Sequence, residues 1–263
     1  MTYAINCKLW IKSVKLKDMH VFEKLDSLLA PPRPCVLTIG SFDGVHLGHQ
    51  MLLRKMRELA GLGTLGILTF ANHPSYVLEH LKPVPMIFTK ELKIKALEEI
   101  GVDVVYCLEF TRELAALSYV AFLQRVWEAY PFDHLVLGEG AALGHKREGN
   151  SVRVKKLGEE MGFEAHYLSK LGNGSEEISS GRIRAYLLAG DLKKAQALLG
   201  RPFQIIAEKI EGEWQVPFCQ CLPPNGTYQV KIGEASACAL TIQNRGLSLS
   251  TESDDLKILI TFE

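Results

Sequence analysis

Between Thr38 and Gln50 the chain reads TIGSFDGVHLGHQ, with His46 and His49 three residues apart and Gly48 between them. An apolar run, CVL, lies just before this stretch, and a helix-like run, MLLRKMRELA, follows it. Glycine lets a backbone approach a polyphosphate closely, and the first amides of a helix offer unpaired N–H donors with a partial positive charge. Two imidazoles at such a place can donate hydrogen bonds to phosphate oxygens as charge develops in a transition state. The chemistry this suits is nucleotide transfer. Zinc would need more ligands, but no other His, Cys or carboxylate lies nearby at ligand spacing and Asp43 would have to turn back across Gly44, so no metal ligand is assigned. A glycine-rich turn whose histidines only cap the helix is the plainer alternative.

A second stretch, ISSGRIR at Ile178–Arg184, places two hydroxyls at a helix start. Arg184 follows Gly181 by three residues, so it returns to the face of the first turn. It reads as a second anion site, or as an ordinary serine cap with a solvated arginine.

Residues of this kind need a scaffold to bring them together. From residue 35 to about 170, the runs CVLTI, LGILTF, DVVYCLEF, HLVLG and EAHYLS alternate with helix-period sets such as Leu52, Met56, Leu59, Ala60 and Leu92, Ala96, Leu97, Ile100. That βαβ repetition predicts an α/β fold with a Rossmann-like, doubly wound parallel sheet covered on both faces. Ligands of such sheets bind beyond the carboxyl ends of the strands, and TIGSFDGVHLGH follows the first of them. Two short helices, SSGRIRAYLLAG and DLKKAQALLG, come next, each closed by a glycine suited to the position after a helix. Beyond Pro202, Tyr228, Val230 and Ile232 alternate with polar residues, as do Leu247 and Leu249, and then Leu256, Ile258, Ile260 and Phe262, which predicts antiparallel β-structure. PPNG at Pro223–Gly226 is a turn signal before one of these strands. The natural division is into residues 1–200 and 201–263.

Composition narrows the class. With 263 residues, 47% of them apolar, the chain can bury at least one full core. Lys+Arg and Asp+Glu are both 30, which gives no long-range basic field for nucleic acid or an anionic membrane, so an anion site must be local. No uncharged run approaches a membrane span and the first 20 residues lack an apolar signal core, which makes a cytoplasmic location the expectation. The cysteines (Cys7, Cys35, Cys107, Cys219, Cys221, Cys238) are scattered and read as structural or free thiols. Oligomeric state is not legible.

The segments GSFDGVHLGHQ, TFANHP, GVDVVYCLEF, GEGAALGHKREG, ISSGRIR and LGRPF occur in the order seen in the bacterial bifunctional riboflavin kinase/FAD synthetases, and over roughly residues 33 to 205 the chain resembles that family. HLGH and ISSGRIR also resemble the HxGH and ISSTxxR signatures of the wider nucleotidylyltransferase superfamily. The resemblance implies transfer of AMP from ATP to FMN, giving FAD and pyrophosphate, with Mg2+ accompanying the ATP. It implies catalytic roles for His46, His49 and Arg184, and nucleotide binding by Gly40, Ser41, Phe42, Gly48, Ser179, Ser180 and Gly181. Asn72, His73 and Pro74 match the family position near the flavin phosphate, with a simple strand-ending turn as the alternative. A degenerate flavin- or nucleotide-binding protein, or an HxGH-class transferase with another acceptor, are the competing functions.

Three departures mark this chain. Gly181 stands where ISSTxxR has threonine. GEGAALG replaces a segment resembling G-x-D-F-x-F-G, so that an acid and two aromatics become Gly140, Ala141 and Leu143. After Pro202, RPFQI and NGTYQV resemble strands of the family's kinase barrel, but the Pro-Thr-Ala-Asn motif and the glycine-rich turn that bind its ATP and magnesium are missing. The tail is therefore expected to be a small barrel-like remnant without kinase activity.

Overall fold

The computed structural model describes residues 19–25, 31–78, 81–169, 172–173, 176–217, 219–233, 236–251, 253 and 255–263; Cys7 lies outside them. Strands β1 (His20–Phe22), β2 (Cys35–Ile39), β3 (Thr64–Phe70), β4 (Val104–Leu108), β5 (His134–Gly138) and β6 (Glu164–Leu168) form one sheet in the order β1-β4-β3-β2-β5-β6. Every pairing is parallel. The five strands expected from apolar runs are all present. The three-residue β1 is an addition, too short for its HVF to show a period.

Side chains alternate across a strand, so β2 sends Val36 to one face and Cys35, Leu37 and Ile39 to the other. Helices α1 (Leu47–Ala60) and α2 (Lys90–Ile100) bury Leu53, Met56, Leu92 and Leu97 on the Val36 face. The short α3 (Arg112–Ala116) precedes α4 (Tyr119–Ala129), which with α5 (Ser151–Met161) buries Phe122, Val126, Val154 and Leu157 on the other face. The sheet is thus doubly wound, and β2 lies between β3, reached first in the chain, and β5, reached later. That is the topological switch point, where an open α/β sheet leaves a crevice beyond its strands.

A two-residue pair, β7 (Gly172–Asn173) and β8 (Glu176–Glu177), leads to α6 (Ser180–Leu188) and α7 (Leu192–Leu199). Ser179 and Asp191 cap these helices through their side-chain oxygens, and Gly190 and Gly200 follow them at φ 80° and 71°.

The expected remnant is a closed six-stranded barrel in the order β10-β13-β12-β11-β14-β9, built from β9 (Gln204–Ile210), β10 (Glu213–Gln215), β11 (Gly226–Ile232), β12 (Cys238–Gln243), β13 (Gly246–Leu249) and β14 (Lys257–Phe262). Two of its hairpins turn on the pairs Glu211–Gly212 and Asn244–Arg245, all four residues at positive φ, which matches the twist of the flanking strands. Closure leaves no open edge, and Ile205, Ala207, Val230, Leu240, Ile260 and Phe262 fill the buried side. These residues are continuous with the core under α1 and α2. Met86 seals the junction: its N–H donates to Cys219 O (2.6 Å) and its carbonyl accepts from Cys221 N–H (2.7 Å). Among the described residues no helix is long and apolar enough to cross a membrane.

Candidate active site

The loop that leaves β2 at its carboxyl end is tightly held. Gly40 N–H donates to Leu68 O (3.0 Å), and Val45 N–H closes a turn onto Phe42 O (3.2 Å). Phe42 and Val45 are buried at φ 47° and 42°, an unfavourable conformation that costs on the order of 1–3 kcal/mol for such residues. Lys93 of α2, only 2% exposed, holds the loop from below by donating to Ser41 O (2.8 Å) and Phe70 O (2.7 Å). Thr69 Oγ1 donates to the same Ser41 carbonyl at 2.9 Å. Burial pushes the Lys93 pKa down, while the Asp43 charge opposes the shift.

His46 is the N-cap of α1, its Nδ1 accepting from His49 N–H at 3.4 Å, so the capping alternative is realised in the geometry. The two rings also stack, with centroids 3.7 Å apart and planes 15° from parallel, and Phe42 flanks His49 at 4.7 Å. Gly48 makes room for this: a Cβ there would meet the His46 ring at 3.2 Å. Burial lowers the pKa of His46 to about 4, against the pull of Asp43. Burial, with the charges of His46 and Lys93, holds His49 well below the ordinary range. Both imidazoles are therefore neutral at pH 7, and each has one N–H to donate. Nδ1 of His49 is buried with no partner among the described residues.

Asp43, 2% exposed, joins the two motifs. Its carboxylate accepts from the N–H groups of Ile87 (2.9 Å) and Phe88 (3.1 Å) and from Arg184 Nη2 (3.0 Å). Its carbonyl accepts from Ser180 Oγ at 2.9 Å. Arg184 is thus drawn into the molecule rather than solvated, and its Nε is buried without a partner among the described residues. Ser179 caps α6 by accepting from Arg182 N–H (3.4 Å). A Cβ on Gly181 would meet nothing within 4 Å.

Asn72, His73 and Pro74 follow β3 at the same, carboxyl end of the sheet. Asn72 makes a two-way bond with the backbone of Phe110, donating to its carbonyl (3.0 Å) and accepting from its N–H (2.7 Å). His73 caps a single helical turn that begins at Pro74, and Nδ1 accepts from Ser75 N–H at 3.1 Å. Burial and then the Arg184 charge lower the His73 pKa. Beyond β5, the GEGAALG loop packs on the start of α4: a Cβ on Gly144 would fall 2.2 Å from Tyr119 N, and Arg147 donates to Gly140 O at 2.7 Å.

The two motifs thus meet at the switch point through Asp43. The family model for FAD synthetase matches residues 29–182. The chain belongs to the FAD synthetase family. It is 35% identical over 181 residues to a bifunctional riboflavin kinase/FMN adenylyltransferase of Listeria monocytogenes, covering 68% of this chain and 57% of that one. The corresponding Escherichia coli protein is 33% identical over 187 residues, 70% of this chain and 60% of its own. The Bacillus subtilis protein is 31% identical over 234 residues, 82% and 73%. The chain thus spans less than two thirds of the length of the first two. Among solved structures, a macrolide-efflux protein from Streptococcus pneumoniae superposes with a TM-score of 0.77 at 20% identity, over 93% of this chain and 89% of that one, a likeness of fold.

Two residues that hold this loop, Asp43 and Lys93, carry little signal in the sequence. A lone acid beside Gly44 offers no zinc set, and its part as a turned-in carboxylate rests on Ile87, Phe88 and Arg184, all distant in sequence. Lys93 sits on the buried face between Leu92 and Ala96, where a lysine breaks the apolar period; that break was its only signal. The five described cysteines are free thiols, and burial pushes Cys221 up to about 12.

Proposed function

We propose that this protein transfers AMP from ATP to FMN, giving FAD and pyrophosphate, and does not phosphorylate riboflavin. The observation that carries the reading is the junction of HLGH with Arg184 through Asp43 at the switch point, in a chain of the FAD synthetase family. An FMN phosphate oxygen attacks the α-phosphorus of ATP, the bond to the β-phosphate oxygen breaks, and pyrophosphate leaves. No protein nucleophile is required, so catalysis is positioning and charge stabilisation. His46 and His49 donate as neutral imidazoles to phosphate oxygens. Gly40, Ser41, Phe42 and Gly48 shape the loop around the nucleotide, and Ser179, Ser180, Gly181 and Arg184 receive the departing phosphates at the start of α6.

Magnesium, when bound, neutralises the phosphates. The Asp43 carboxylate is already taken by two amides and Arg184, so the donor set suits an ion carried mainly by the nucleotide. Asn72 fixes the ends of β3 and β4, which leaves His73 and Pro74 to face the FMN phosphate. Residues 1–200 form the transferase unit. Residues 201–263 form a barrel that serves as its support, since the kinase motifs are missing and apolar side chains fill it.

Purified protein with ATP, magnesium and either FMN or riboflavin, with products separated by chromatography, tests both halves. FAD from FMN is expected. FMN from riboflavin would overturn the second half, and no FAD with any divalent metal would leave a flavin- or nucleotide-binding protein without turnover.

A further inference from the structure

We propose that His134, Glu164 and His166 form a binding site for a divalent transition-metal ion of the zinc class, at the opposite end of the sheet from the transferase site. In the register of β5 and β6, His134 stands beside Glu164 and Val136 beside His166. Side chains alternate along a strand, so Glu164 and His166 share a face, and His134, directly opposite Glu164, points the same way. Ala165 turns to the buried side between them, in the core that α4 and α5 cover. The three ligating side chains stand on the other face, at the amino ends of the two strands.

The distances suit one shared ion. His134 Nδ1 and His166 Nε2 are 3.2 Å apart, and Glu164 Oε2 is 3.7 Å from each. The point equidistant from these three atoms lies about 2 Å from each, the usual distance of zinc to imidazole nitrogen and carboxylate oxygen, roughly 2.0–2.2 Å. Without an ion, the carboxylate is too far from either ring for a good hydrogen bond, and the two imidazoles can share only one proton between the facing nitrogens. Two imidazoles and one carboxylate as ligands suit zinc, cobalt or nickel better than magnesium or calcium, which prefer oxygen. The imidazoles are partly shielded, at 22% and 27% side-chain exposure, while Glu164 is 69% exposed, so an ion can enter from solvent and keep a water as its fourth ligand. Such an ion would clamp β6, the outermost strand, to β5.

The test uses chelator-treated full-length protein and metal alone, without nucleotide. Calorimetry with Zn2+ is expected to give one site per chain, and Co2+ to give the visible absorption of a four-coordinate nitrogen and oxygen site. His134→Ala and His166→Ala should each weaken binding by about tenfold or more, and Zn2+ should raise the melting temperature of the parent but not of these variants. Glu164→Gln, at an exposed position, should weaken binding without altering the fold. In a separate assay with ATP, FMN and Mg2+ added, FAD formation by the zinc-free His166→Ala protein should match the zinc-free parent. The proposal is overturned if the parent takes up no Zn2+, if the three variants bind it like the parent, or if Co2+ shows thiolate charge transfer, which would mean cysteine ligation.

Discussion

At His46 and His49, burial decides the charge and stacking decides the direction. A neutral donor at a developing phosphate charge acts mainly in the transition state. His49→Ala is therefore expected to lower kcat for FAD formation on the order of 10²-fold while nucleotide affinity changes much less, as rate assays and equilibrium ATP binding would show. Equal losses in both would indicate ground-state binding. Gly181 presents the opposite case, an absent group with room for it. Because a Cβ there meets nothing within 4 Å, Gly181→Thr should raise kcat/KM, by up to about tenfold if its hydroxyl reaches a departing phosphate. Unchanged kcat/KM and unchanged nucleotide affinity would place position 181 outside the phosphate site.

Protonation gives a third test at this scale. The folded-state pKa of His46 is lowered from 6.5 to about 4, so between these values the unfolded chain binds more protons than the folded one. Stability should be fully present above pH 6.5 and decline as pH falls towards about 4, with His46 contributing at most about 3 kcal/mol of the loss. His46→Asn can still cap α1, and its unfolding free energy should fall less steeply across this window. Equal slopes for parent and variant in urea titrations would refute the assignment.

At the scale of elements, the GEGAALG loop shows what substitution does to docking. Gly140 and Gly144 both have positive φ, 77° and 75°, but only at Gly144 would a Cβ run into the backbone of α4, 2.2 Å from Tyr119 N. Gly140→Ala should cost about 1–2 kcal/mol, the strain of the left-handed conformation alone. Gly144→Ala should cost clearly more, because the loop must also lift from α4. Comparable unfolding midpoints for the two variants would mean that the loop does not depend on that contact. The altered composition of this loop was legible in the sequence. Its close packing on Tyr119 was not, because the contact joins a loop to a helix start more than 20 residues earlier.

Over the whole molecule, the barrel and the candidate site around Asp43 are linked by a short path of hydrogen bonds. Gln220, fully buried, donates to Ile87 O (3.2 Å) and Gln204 O (3.1 Å) and accepts from Ile206 N–H (3.3 Å). Ile87 N–H in turn donates to Asp43, the partner of Arg184. Gln220→Leu removes these three hydrogen bonds to backbone groups, two of them buried, and should destabilise the protein by about 2–4 kcal/mol. It should also lower FAD formation in the fraction that stays folded, since the segment that orients Asp43 loses its anchor. Full activity at normal affinity would show that the barrel supports the fold without reaching the site.

The sequence by itself determined the alternation of strand and helix, the antiparallel tail and the order of the two family motifs, because these rest on local periods and on residues within a few positions of each other. His46 could be read as a cap or as a phosphate donor from seven residues, VHLGHQM, and the structure shows the cap. Only the tertiary structure decided that Arg184 turns inward to Asp43, that Lys93 holds the loop after β2, and that β14 closes the barrel between β9 and β11. The same is true of His134, Glu164 and His166, which lie on two runs legible only as strands. Each of these depends on which distant segments become neighbours, and that is fixed by strand order and register once the cores are packed, information that no local spacing carries.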